Sequence, residues 1–411
     1  IDAKNILVLD TRDNPPCLAN VLNEFPEVKI MLGDFAKHFT DAAIEQIAIN
    51  NTTIITSPGV DFSQPIFIKL ANKQIKLCSD IEIFARHVQA PVVAITGSNG
   101  KSTTTSLLGE MARANNILVA VGGNIGIPVL DLLIDGNNYD LYILELSSFQ
   151  LQFTYSLATK ISCILNITDD HLDIHKTFNS YCEAKHRIYL NAKMAVYDQL
   201  SHITIPSIVE RKISYTDNNQ LFDLIPQHNL LGKHNRLNIQ AALVMGQALG
   251  FTTETMLMTI SNFKCLPHRA EKIATINDVL WVNDSKATNV GATIAALDGL
   301  KDEITGKWII ILGGKDKVSD FAALVDSVKQ FCKAVVLLGE TALQIQMVLS
   351  FLPCFVASNM QDAVNKAFTL SGSGDGVLLA PACASFDMFD NYMHRGDVFA
   401  KCVNNLKCQD N

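Results

Sequence analysis

Short apolar runs alternate with longer amphipathic stretches along almost the whole chain. Strands are predicted at Pro91–Ile95, Leu141–Leu144, Ile161–Leu165, Trp308–Leu312, Val335–Leu338 and Gly376–Ala380. Between most of them lie helical stretches of about 10–15 residues, the usual length of a crossover. This strand–helix rhythm predicts an α/β fold with mostly parallel sheets covered by helices. No self-similar period of the length expected for repeat architectures is present. Asn5–Asp10 is a further buried-strand pattern, ending in an acid as the second strand of a dinucleotide-type unit does. A preceding strand and glycine loop are therefore expected ahead of the given sequence. The pattern changes near Asp80–Pro91 and again near Cys265–Pro267, which predicts three α/β domains over residues 1–82, 83–265 and 266–411.

Length supports this division, because 411 residues are too many for one compact core. With 48% hydrophobic and 18% charged residues, the chain reads as a soluble globular protein with no disordered tract. A net charge of -8 and the lack of a dense Lys/Arg run argue against a nucleic-acid partner. A nucleotide remains a fitting ligand, because glycine loops and helix starts hold phosphate locally. No apolar run approaches about 18 residues, so membrane insertion is not expected, nor is a secretory signal. Ten scattered cysteines form no C-x-x-C pair, which predicts buried free thiols in a reducing cytoplasm. A monomer is expected.

The sharpest local signal is Ala94-Ile95-Thr96-Gly97-Ser98-Asn99-Gly100-Lys101-Ser102-Thr103. A buried strand enters a glycine turn and then a helix, whose N–H groups suit phosphate oxygens. Lys101 adds a point charge, and the Ser102 hydroxyl suits Mg²⁺. The loop is shorter than G-x-x-x-x-G-K-[ST], because Ile95 stands where its first glycine belongs. Glu145 ends another buried strand, at the sheet edge where open α/β sheets bind ligands. Beside a nucleotide such an acid would hold Mg²⁺, which prefers oxygen ligands; a surface acid is the alternative. Asp169-Asp170-His171 follows a third strand. Lys185 lies on a helix predicted to begin near Thr177. Asn235 and Asn238, three apart at a helix start, share one face, though one could serve as an N-cap. Arg269 can grip a transferred phosphate with two hydrogen bonds. Asp284 suits a ribose hydroxyl and Lys286 a phosphate; for these three a solvated surface charge is the alternative.

The phosphate loop resembles that of the Mur ligases, in which this shortened form is normal. The resemblance continues in order through Gly122-Gly123-Asn124-Ile125-Gly126, Leu144-Glu145-Leu146-Ser147-Ser148-Phe149-Gln150-Leu151 and Asn166-Ile167-Thr168-Asp169-Asp170-His171-Leu172-Asp173. It runs on through Ala184-Lys185-His186-Arg187-Ile188-Tyr189, Gly232-Lys233-His234-Asn235-Arg236-Leu237-Asn238 and Leu266-Pro267-His268-Arg269. It ends with Asn283-Asp284-Ser285-Lys286-Ala287-Thr288-Asn289 and Pro381-Ala382-Cys383-Ala384-Ser385-Phe386-Asp387. Essentially the whole chain is covered.

The resemblance implies the family's three-domain architecture, with a central ATPase-like domain between Rossmann-like domains. It also implies an ATP-dependent, carbon–nitrogen bond-forming ligase of peptidoglycan precursor synthesis. Its substrates would be UDP-N-acetylmuramoyl-L-alanine and D-glutamate, joined through an acyl phosphate in the cytoplasm. Gly97–Thr103, Asn235, Asn238, Arg269, Asp284 and Lys286 would then contact ATP. Two Mg²⁺ sites would draw on Ser102, Glu145, His171 and Lys185. The matching lysine of the family is carbamylated; for Lys185 a plain phosphate-pairing role stays open. Lys101, His171, Lys185 and Arg269 form the implied catalytic set. Asp10, Thr11 and Arg12 match uracil-side contacts, Asn124 a further substrate contact. Thr288, Lys317, Ser385 and Tyr392 match positions around the incoming amino acid, although Lys315 competes with Lys317. Sibling diamino-acid ligases carry a D-N-P-R stretch that is absent here. A nucleotide switch would need no amino-acid pocket, and an inert scaffold would lack Lys101, Glu145 or His171. Domain closure about a hinge near Cys265–Pro267 is expected to exclude water from the acyl phosphate.

Overall fold

The computed structural model describes residues 6–49, 52–58, 60, 64–168, 170–216, 225, 230–264, 267–315 and 320–407. Two six-stranded sheets dominate it. The first is built from β5 (Val92–Thr96), β6 (Val119–Gly123), β7 (Leu141–Glu145), β9 (Ile161–Ile164), β11 (Met194–Asp198) and β12 (Arg211–Tyr215). Its order is β12-β11-β9-β5-β7-β6, and every pairing is parallel. Alternate residues of β5 serve opposite faces, as a period of two requires. Val93 and Ile95 pack with Leu107, Leu108 and Met111 of the helix Lys101–Ala114, and with Ile239 and Leu243 of the helix Lys233–Leu249. Val92 and Ala94 pack instead with Ile81 and Phe84 of the helix Asp80–His87. Burial on both faces is why these strands read as unbroken apolar runs.

The second sheet contains β13 (Glu271–Ile276), β14 (Val279–Asn283), β15 (Trp308–Leu312), β16 (Cys332–Leu337), β17 (Cys354–Val356) and β18 (Gly376–Leu379). Its order is β13-β14-β18-β15-β16-β17, with only β13 antiparallel to its neighbour. Trp308, Ile310 and Leu312 face one apolar core, Ile309 and Ile311 the other. The expected α/β architecture with mostly parallel sheets is therefore present. All six predicted strand positions hold strands; Trp308–Leu312 matches at both ends, and the others differ by at most three residues at either end.

The amino-terminal part holds two small parallel sheets, β1 (Leu7–Asp10) with β2 (Lys29–Leu32) and β3 (Ile54–Ile55) with β4 (Leu77–Cys78). One expectation fails here. The strand within Asn5–Asp10 is not buried, since Ile6 and Leu7 are each 52% exposed. Among the described residues β1 has a single neighbouring strand, so its apolar side chains gain little cover. The short pairs β8 (Ala158–Thr159) and β10 (Asn191–Ala192) complete the strands. Cysteines follow the expected pattern in part: Cys78, Cys163, Cys332, Cys383 and Cys402 are buried free thiols, but Cys17 is exposed.

Parallel packing brings the carboxyl ends of β5, β7 and β9 to one edge, where Ile95 pairs with Glu145 and Thr96 with Ile164. In the second sheet Asn283 ends β14 opposite Leu379 of β18. The two halves touch directly: Arg269 Nη2 donates to Ser102 Oγ at 3.0 Å, and Gly232 N to Glu303 Oε1 at 2.9 Å. Cys265 and Leu266 of the expected hinge lie outside the described residues.

Candidate functional site

The loop Gly97–Gly100 leaves β5 and turns into the helix Lys101–Ala114 at Gly100, whose φ of +82° suits glycine. A Cβ there would stand 2.1 Å from Asn238 Oδ1, so the helix Lys233–Leu249 presses its amide onto the loop. Asn238 Nδ2 donates to Asn235 Oδ1 at 3.1 Å, and Asn235 Nδ2 to Leu231 O at 2.7 Å. Both asparagines thus share the expected face, and the N-cap is Gly232 rather than either of them. Asn99 exchanges bonds with Asn166, while Ser98 Oγ bonds Thr168 O and Tyr181 OH at 3.0 Å each. Ser102 and Thr103 are buried in the first helical turn.

Two lysines converge on this loop. Lys101 Nζ donates to Gly97 O at 2.9 Å and Ser98 O at 3.0 Å. Lys185 Nζ donates to the same Gly97 O at 3.0 Å and lies 4.6 Å from the Tyr181 ring centre. It sits on the helix Phe178–His186, which begins where the sequence predicts and is capped by Thr177. Burial and then the neighbouring Lys101 charge lower the Lys185 ammonium to about 7, against the pull of Asp170 and Glu145. Burial also lowers Lys101, with Glu145 opposing.

Glu145 is 1% exposed. Its Oε1 accepts from Asn124 Nδ2 at 2.8 Å, whereas its Oε2 has no hydrogen-bond partner among the described residues. A buried carboxylate oxygen without a donor is costly unless a cation faces it. Glu145 Oε2 and the Ser102 hydroxyl are oxygen donors of the kind Mg²⁺ prefers and so fit that ion, while among the described residues no group of three or more His, Cys, Asp or Glu side chains is placed to hold a metal. His171 has a left-handed φ of +54°, lies 3.5 Å from Asp170 Oδ2 and packs its ring edge-on to Phe149. Asp169 lies outside the described residues.

From the second sheet, Arg269 reaches Ser102 and is flanked by Asp284. Burial raises the Asp284 carboxyl to about 6, although the Ala270 N–H and the Arg269 charge pull it down. Lys286 Nζ stands 4.1 Å from the centre of the Tyr392 ring. Ser385 is buried in the segment after β18, and Thr288 N donates to Lys286 O. Lys315 pairs its backbone with Ala384, and Lys317 falls outside the described residues. Asp10 and Arg12 form a forked pair, with Nη2 to Oδ2 at 2.7 Å; that pair holds the Asp10 carboxyl down at about 2. Thr11 is exposed beside them.

Three residues of this region escaped the sequence reading. Tyr181 closes the phosphate loop from the helix side. Asn283 and Arg395 are buried polar groups of the second half. Arg395 donates to Ser285 Oγ at 3.0 Å, Ser285 O at 2.9 Å and Cys383 O at 3.1 Å, tying the 285 and 383 segments together. Burial lowers its guanidinium to about 10.

The helix after the glycine loop thus meets, at Ser102, an arginine brought from the mostly parallel second half, and the chain belongs to the Mur ligase family. Residues 95–219 match the Mur ligase middle domain, and residues 268–383 match the Mur ligase, glutamate ligase domain. The chain is 41% identical to the UDP-N-acetylmuramoylalanine–D-glutamate ligase of Legionella pneumophila strain Paris, over 98% of this chain and 94% of that protein. Its fold also matches the MurF ligase of Thermotoga maritima in complex with ADP, with a TM-score of 0.62 at 15% identity over 98% of this chain and 96% of that one. A bifunctional folylpolyglutamate synthase/dihydrofolate synthase from Yersinia pestis, complexed with AMPPNP and a Mn ion, matches with a TM-score of 0.58 at 16% identity, over 78% of this chain and 92% of that one.

Proposed function

We propose that this chain is the ATP-dependent ligase that joins D-glutamate to UDP-N-acetylmuramoyl-L-alanine in peptidoglycan precursor synthesis, acting as a cytoplasmic monomer. The observation that carries the reading is the convergence of the phosphate loop and Arg269 on Ser102. It occurs in a chain 41% identical to a D-glutamate ligase. Residues 1–82 hold the UDP-sugar through Asp10, Thr11 and Arg12. Residues 83–265 hold ATP, and residues 266–411 bring the amino acid and complete the nucleotide site.

Amide formation from a carboxylate needs activation. The γ-phosphoryl group passes from ATP to the L-alanine carboxylate, giving an acyl phosphate and ADP. The D-glutamate amine then attacks the acyl carbon; the C–N bond forms as the C–O bond to phosphate breaks, and the nitrogen's proton passes to solvent or to the departing phosphate. N–H groups of Gly100–Thr103 and the Lys101 ammonium hold phosphate oxygens, those of Ser98 and Asn99 being spent on Asn166, and Arg269 steadies the group in transfer. Asn235 and Asn238 pack the nucleotide side, with Asp284 on the ribose and Lys286 on a phosphate. Asn124 contacts the UDP-linked substrate. Thr288, Lys317, Ser385 and Tyr392 surround D-glutamate, with hydroxyl and ammonium donors for its carboxylates.

Ser102, Glu145, His171 and Lys185 would hold two Mg²⁺, which neutralise charge on the phosphate oxygens when bound. An ammonium lowered to about 7 leaves Lys185 substantially neutral near pH 7. Neutral amine is the form that adds to CO₂, so the same burial supports carbamylation of Lys185, which would turn a cation into an anionic oxygen donor.

The test is phosphate release from ATP with UDP-N-acetylmuramoyl-L-alanine, comparing D-glutamate, L-glutamate, meso-diaminopimelate and no amino acid. Release is expected only with D-glutamate, with a product heavier by one glutamyl residue. Release with another amino acid would move the specificity elsewhere in the family, and release without any amine would refute ligase activity.

A further inference from the structure

We propose that Asn283 is a positioning residue that aims Arg269 by holding His268; this rests on the role proposed above for Arg269. Arg269 sits between two non-glycine residues in the left-handed region, His268 at φ +65° and Ala270 at φ +45°. Side chains rarely stay there unless their surroundings over-determine the backbone. The restraints can be traced. Ala270 N donates to Asp284 Oδ1, His268 N to Glu271 Oε2 at 2.8 Å, and Lys286 N to His268 O.

The His268 ring is held separately, and Asn283 is its main partner. Asn283 is 0% exposed at the end of β14. Its Nδ2 lies 3.1 Å from His268 Nδ1, 3.3 Å from Glu271 Oε2 and 3.2 Å from Gly396 O, and its Oδ1 accepts from Ser285 N. An amide donating to Nδ1 places the imidazole proton on Nε2, which faces Asp397 Oδ1 at 3.6 Å. Space for the ring is made by Gly396, where a Cβ would fall 2.2 Å from His268 Nδ1. The Tyr392 ring meets the imidazole edge-on.

Asn283 therefore spends its amide on the loop that carries Arg269, while no hydrogen bond joins it to Arg269 or Ser102. Its chemistry is specific. Aspartate there would set a second carboxylate against Glu271 and the Gly396 carbonyl, with no N–H for either. Losing the amide frees the imidazole, relaxes the left-handed turn and lets the guanidinium swing.

The experiment measures kcat, both KM values and melting temperature for Asn283→Ala, Arg269→Lys and the double variant. Arg269→Lys keeps a charge but loses the two-pronged grip. Asn283→Ala is expected to lower kcat about 10- to 100-fold, with the KM for D-glutamate essentially unchanged. In the Arg269→Lys background the same substitution should cost kcat almost nothing more, because the group it aims is gone. Losses that multiply in the double variant, or an unchanged kcat in Asn283→Ala, overturn the proposal. An unchanged kcat in Arg269→Lys would instead refute the role given to Arg269. Should Asn283→Ala fail to fold, Gly396→Ala, whose added methyl would crowd His268 Nδ1, is read by the same criteria.

Discussion

Asp284 shows how one side chain reports its surroundings. Its carboxyl is raised from 3.8 to about 6, so the folded chain holds this proton more tightly than the unfolded one. The stabilisation is complete below about pH 4 and is lost as pH rises through about 6. Relative to Asp284→Asn, the native chain should therefore lose about 2 kcal/mol between pH 4 and pH 7. Urea midpoints of both proteins at the two pH values measure this, and parallel behaviour would show that burial does not raise the group. At this scale the sequence was legible wherever a residue's place follows from a strand before it. Glu145 ends β7, Asp284 follows β14, and Lys101 opens the helix after the loop that leaves β5. It was silent where a buried polar group finds its partner far along the chain. Arg395 meets Ser285 across 110 residues, Asn283 meets Gly396 across 113, and Ser98 meets Tyr181 across 83. No local pattern of apolar and polar positions records such a meeting.

Strands and helices of the two six-stranded sheets were the most legible elements, because burial on both faces writes an unbroken apolar run into the sequence. The amino-terminal strand misled for the same reason: its run is apolar, but among the described residues its neighbours are too few to cover it. Between elements, the close approach of Asn238 to Gly100 had no sequence signal either. It makes the junction of strand, loop and helix sensitive to a single methyl group. Gly100→Ala must accept a φ of +82° and displace an amide 2.1 Å from its Cβ. A loss of about 1–3 kcal/mol in stability is expected, together with a higher KM for ATP. A melting curve and ATP titration check both; an unchanged KM would mean that Asn238 and the loop move freely past each other.

Across the whole molecule, the proposed nucleotide site is divided between two halves that meet at Arg269 and Ser102. On that reading the site is completed only when both halves are in register, which makes domain closure a part of the proposed reaction. X-ray scattering should show a smaller radius of gyration with a non-hydrolysable ATP analogue and UDP-N-acetylmuramoyl-L-alanine both present than with neither. An unchanged radius would mean that the two halves stay in register without the ligands. The left-handed turn at that meeting point bears on how such a protein could be engineered. Glycine would sit at position 270 without the steric cost that Ala270 bears. Ala270→Gly would remove that cost, but it would also empty the place that the buried Ala270 methyl fills in the core and loosen the arginine that joins the halves. Backbone strain and core packing pull on this one position from opposite sides.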